Sequence, residues 1–133
     1  MTFDEMTDRI ATGQGFIAAL DQSGGSTPKA LRGYGIDEGA WEGDDEMFAL
    51  IHQMRSRIVE SPCFGNGKVI GAILFEKTMD GEVDGKPTGD ALKARGIVPF
   101  IKVDEGLADE ADGVQLMASQ SPPGWRNVAW CRS

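Results

Sequence analysis

The chain has 133 residues, 41% hydrophobic and 26% charged, and carries a formal charge of −8 from 13 basic and 21 acidic side chains. That balance excludes disorder over most of the length and argues against a surface built to neutralise nucleic-acid phosphates, so no nucleic-acid partner is expected. Cys63, Cys131 and the single His52 are too few for a disulfide scaffold or a zinc centre, and without a membrane-length apolar run or a basic, apolar leader the protein is expected in the cytoplasm, with no membrane partner.

In chain order, Thr2-x-x-Glu5 has the capping-box spacing, and Phe3, Met6 and Ile10 share one helical face, which predicts a helix over residues 2–11. Residues 15–21 form an apolar run ended by Asp21, the form of a parallel strand buried on both faces. A loop, Gln22 to Ser26, leads to Thr27 as N-cap with Pro28 at the first helical position. Asp44 or Asp45 caps a longer helix whose Met47, Leu50, Ile51, Met54 and Ile58 make an apolar stripe, ending near Ser61-Pro62. Residues 69–75 predict a second strand, closed by Glu76, Lys77 and Thr78. A Gly- and acid-rich loop spans residues 80–89. It leads to a short helix over 90–95 with Gly96 at C′, then a third strand over 97–103, against which Pro99 counts. The alternation is that of a βαβ series, an α/β fold with parallel strands.

Asp21, Lys102 and Asp104 fall at the carboxyl ends of predicted strands, the edge where parallel α/β folds carry their sites. A carboxylate and an amine facing one pocket is one reading; an ion pair that only completes the fold is the other. Lys102 is the more telling, since an amine within an apolar strand must pair, neutralise or bind something. The loop Ser23-Gly24-Gly25-Ser26 at a helix entry suits a phosphate, though such loops also serve as plain turns. His52 is placed on a helix flank, and the acidic stretch 37–45 reads as a solvated loop and cap.

Three blocks, FIAALDQSGGSTPKAL over 16–31, GAILFEKT over 71–78 and GIVPFIKVDEG over 96–106, resemble the first three strands of bacterial class I fructose-bisphosphate aldolases. The resemblance runs from about Met1 to Met117 and implies the first three β/α units of an incomplete (β/α)8 TIM barrel. It implies a lyase that cleaves fructose 1,6-bisphosphate reversibly to dihydroxyacetone phosphate and glyceraldehyde 3-phosphate in glycolysis, through a lysine Schiff base and with no cofactor or metal. Asp21 then matches the aspartate that orients the Schiff-base lysine, and Ser23, Ser26 and Lys102 match groups on a substrate phosphate. Asp104 supports the charge network around Lys102. Lys29 matches a basic residue at the site mouth, although Ala30 stands where animal relatives have arginine.

A full barrel takes about 250 residues, and in the family the nucleophilic lysine lies on a later strand, so this chain is expected to be a fragment inactive alone. From Ala118 to Ser133 the sequence turns to Ser, Pro, Gly and two of the three tryptophans, where the family continues with a Lys-Pro-Ile-Pro-Gly-Leu type segment. Codons read one base out of phase from Met117 permit that segment, so a frameshifted tail is expected; an undisturbed reading frame through codon 118 removes the idea. Such a fragment is expected to self-associate, aggregate or be partly ordered, which a sharp, reversible thermal transition of a monomer contradicts. Two other readings fit the residues. One is another Schiff-base barrel lyase with Lys102 as nucleophile; the other is a noncatalytic phosphate-binding or oligomerisation module.

Overall fold

Thr2 starts the first helix, α1 (Phe3–Thr12), through the reciprocal capping its spacing predicts. Its hydroxyl accepts from the Glu5 N–H at 3.3 Å, while the Glu5 carboxylate accepts from the Thr2 N–H at 2.7 Å. That bond from the backbone holds the Glu5 carboxyl below its ordinary range. The computed structural model describes residues 1–23, 25–107, 109–115 and 117–119, excepting the side chains of 104–107 and 117–119.

After α1 come β1 (Phe16–Leu20), α2 (Ser26–Gly33), α3 (Gly43–Glu60), β2 (Val69–Leu74), α4 (Glu76–Met79), the hairpin strands β3 (Glu82–Val83) and β4 (Lys86–Pro87), α5 (Thr88–Ala94) and β5 (Val98–Ile101). The three predicted strands, β1, β2 and β5, form one parallel sheet with β2 in the middle. Its core joins Leu20, Val69, Ala72 and Leu74 of the sheet to Val59 of α3 and Leu92 of α5, and Leu74 and Leu92 are wholly buried. A fully buried leucine of this kind contributes about 1.5–3 kcal/mol. A second cluster joins Leu31 of α2 to Met47, Ile51 and Met54 of α3, the stripe read from the sequence. Gly71 sits where β2 and β5 meet. A Cβ there would come 2.8 Å from Phe100 Cε2, so any larger residue would force the Phe100 ring to shift.

Several boundaries differ from expectation. β1 is buried in part only: Ala18 and Leu20 are inside, while Phe16 at its start and Ile17 and Ala19 are exposed, because no helix covers the face that carries Ile17 and Ala19 as the faces of β2 are covered. Helix α2 starts at Ser26, with Gly25 rather than Thr27 as N-cap, since the Ser26 N–H turns back onto the Ser23 carbonyl at 3.3 Å. Helix α3 is capped by Glu42, not by Asp44 or Asp45. Both aspartates lie in its first turn, where their charge suits the helix dipole. The segment read as a loop at 80–89 contains the β3–β4 hairpin, whose turn is Asp84-Gly85 with φ of 54° and 66°. That dipeptide is a strong hairpin signal and accounts for the structure. Pro99 is tolerated because β5 is also an edge strand of the sheet. Gly96 has the left-handed φ of 73° that its C′ position demands.

The chain divides into two units, Met1–Ile101 and Lys102–Ser133. In the second, β6 (Asp104–Leu107) pairs antiparallel with β7 (Met117–Ser119), and Ala111 bridges Val114 across a turn. Of the expected tail over 118–133, residues 120–133 lie outside the described residues.

Candidate functional site

Leu20, Leu74 and Ile101 are register partners, so the carboxyl ends of the three parallel strands finish in one row. The residues that follow them are Asp21, Phe75 and Lys102. The expected strand-end carboxylate therefore stands directly beyond β1. The third strand, expected over 97–103, stops at Ile101, so Lys102 follows the strand rather than lying inside it, and it is half-buried rather than enclosed. Lys102 opens the second unit. Asp104 begins β6, and its side chain lies outside the described residues, as does Gly24 of the serine loop.

A buried charge near this end is one that the sequence did not single out. Arg55 of α3 is 1% exposed, buried among the apolar residues of its stripe. Its Nη1 donates to Thr78 Oγ1 at 2.5 Å, and its Nη2 donates to the Gln22 carbonyl and, at 3.5 Å, to Gln22 Oε1. One guanidinium thus ties the segment after β1 to α4, which follows β2. Burial pushes Arg55 down to about 10, and the charge of Asp21 opposes that shift, so the group remains cationic at neutral pH. Arg55 was visible as a charge at i+4 from Ile51 and i−4 from Val59, on an otherwise apolar face.

Ser23 and Ser26 are brought together. The Ser23 N–H donates to Ser26 Oγ at 3.1 Å, and the Ser26 hydroxyl donates to the Ser23 carbonyl at 2.9 Å. This closes the turn that starts α2. Lys29 is exposed on the next turn of that helix. Lys77 lies 4.1 Å from the centre of the Phe48 ring, which stacks on Phe75.

Two other features stand outside these contacts. His52 donates from Nε2 to the Glu82 carbonyl at 2.8 Å, because a carbonyl can only accept, and so pins the hairpin to α3. A cavity of about 550 Å³, lined by Phe16, Tyr34, Arg57, Ile58, Phe64, Lys68 and Val69 among others, opens at the opposite, amino end of β1 and β2. Among the described residues no group of three or more His, Cys, Asp or Glu could hold a metal ion, and no helix is long and apolar enough to cross a membrane. In comparison with known proteins, the family model for fructose-bisphosphate aldolase class-I matches residues 4–120.

Proposed function

The chain belongs to the class-I fructose-bisphosphate aldolase family, and from that premise we propose that it provides the phosphosugar-binding strand ends of a Schiff-base lyase acting on fructose 1,6-bisphosphate in glycolysis, in the cytoplasm. Its parallel sheet and helices correspond to part of the family's TIM barrel. The observation that supports the reading best is the single row of strand ends at Leu20, Leu74 and Ile101, because Asp21 and Lys102 each follow one of them directly.

In this reading a lysine amine adds to the C2 carbonyl of the ketose, water leaves, and a protonated imine forms. The C4 hydroxyl gives up its proton, the C3–C4 bonding pair flows into the imine, and glyceraldehyde 3-phosphate departs. Protonation of the enamine at C3, then hydrolysis, releases dihydroxyacetone phosphate and regenerates the amine. Asp21 orients the amine and the substrate hydroxyl. Lys102, Ser23 and Ser26 hold a phosphate, Lys29 adds charge at the mouth, and Asp104 steadies Lys102. For Ser26 this requires its hydroxyl to leave the Ser23 carbonyl and donate to the ligand instead.

The nucleophilic lysine of this scheme comes from a β/α unit other than these three, so the 133-residue chain is expected to bind sugar phosphate without cleaving it. Titration calorimetry with fructose 1,6-bisphosphate, joined to a cleavage assay and borohydride trapping on the same sample, tests this. The expected result is binding that inorganic phosphate competes away, no product, and no trapped lysine. Absence of binding contradicts the reading. Turnover with borohydride trapping at Lys102 would replace it with a lyase whose nucleophile is Lys102.

A further inference from the structure

Arg55 is expensive where it stands. A buried guanidinium loses hydration that only well-placed partners restore, and an apolar residue of similar volume commonly serves folding as well or better. The position lies on the buried face of α3, between Ile51 and Val59, where a methionine or leucine would extend the stripe. Its two terminal nitrogens are committed to the two segments that leave β1 and β2, while its Nε is buried without a partner among the described residues. Gln22 is fixed from both sides: its Nε2 donates to the Ala19 carbonyl at 3.1 Å, which leaves Oε1 and the backbone carbonyl to Arg55. Thr27 Oγ1 reaches the same carbonyl at 3.5 Å.

We propose that Arg55 is a positioning residue: by clamping Gln22 to Thr78 it fixes where the Asp21 carboxylate and the Ser23–Ser26 turn stand at the strand ends, and so sets the geometry of the phosphosugar site. The ligand half of this statement rests on the function proposed above; the clamp itself does not. The charge of Arg55 serves the same end, since it acts on Asp21 across the same few residues. A residue that served packing alone would have no need of two acceptors on two different strand ends.

The test compares Arg55→Met and Arg55→Lys with the parent in the full 133-residue chain, by amide hydrogen exchange and by titration with fructose 1,6-bisphosphate. In Arg55→Met, exchange at Gln22, Ser23 and Thr78 is expected to rise about tenfold, the scale of one lost charge-assisted hydrogen bond, while amides of Leu74 and Ile51 keep the parent rate. Affinity is expected to fall by a similar factor. Lysine keeps the charge but cannot fork to both partners, so Arg55→Lys is expected to fold like the parent and recover only part of the affinity. The inference is overturned if Gln22 and Ser23 keep parent exchange rates in both variants, or if exchange rises uniformly through the core, which marks a packing role. If the parent binds no sugar phosphate, the proposed function falls while the exchange pattern still decides the clamp.

Discussion

The two ends of the parallel sheet are built on opposite plans. At the carboxyl end, the row of Leu20, Leu74 and Ile101 gives way to Asp21, Gln22 and Thr78, the last two bonded to one buried guanidinium on which the charge of Asp21 also acts. At the amino end, Phe16 and Val69 open into a largely apolar cavity, and Phe16 is 57% exposed. Apolar burial has no direction, whereas a forked donor with two acceptors fixes orientation. The difference teaches where this fold spends its geometric control: at the end that carries Asp21, not at the end with the apolar cavity. In parallel α/β folds that is the end where loops and helix N-termini gather.

The largest effect that sharpens this comparison is expected from Leu74→Ala. Leu74 is wholly buried at the carboxyl row, and its truncation should cost about 2–5 kcal/mol, read from the denaturation midpoint. The matching change at the other end, Phe16→Ala, should cost well under half as much, because that ring is mostly in water already. Equal costs would break the comparison. Thr78→Val comes next: it removes one acceptor from a buried charge and should destabilise by about 1–3 kcal/mol in the same measurement. A neutral result would mean that Arg55 has no need of this partner.

Smaller still is Lys77→Met. This change removes a half-exposed cation from the Phe48 ring and a 3.9 Å pair with the solvated Asp45. The expected loss is about 0.5–1 kcal/mol, mostly from the ring contact, and it should be nearly insensitive to salt. The smallest effect belongs to Glu5. Its carboxyl titrates lower in the folded chain than in the unfolded one, so the stability it adds is full above the unfolded carboxylate range and fades as the pH drops through the folded value. A loss of amide protection at Thr2 and Glu5 on acidification, measured against the intrinsic exchange rate at each pH and absent in Glu5→Gln, is the expected sign.

Much of the fold was legible because its signals are local. The Thr2–Glu5 spacing, the stripe from Met47 to Met54, the Gly96 turn and the three apolar runs all became the elements they imply. The one-sided burial of β1 was not legible. Residues 16–20 look alike whether one face of the strand is covered or both, and that is decided by elements far away in sequence. The Asp84-Gly85 hairpin carried its signal in plain sight but was outweighed by the acidic, glycine-rich composition around it. The place of Asp21 directly beyond β1 followed from strand-end logic and the Ser23–Ser26 turn from its position at a helix entry, while Arg55 escaped because its bonds span 23 and 33 residues of sequence. A charge on an apolar helix face was the clue available.

The most direct measurement is an amide chemical-shift titration of the 133-residue chain with fructose 1,6-bisphosphate, resolved by residue. The expected result is saturable shifts concentrated at Asp21, Ser23, Ser26 and Lys102, with Phe16, Lys68 and Val69 unmoved. Shifts gathered at those last three residues, or none at saturating ligand, would contradict a phosphosugar site at the carboxyl ends of the strands.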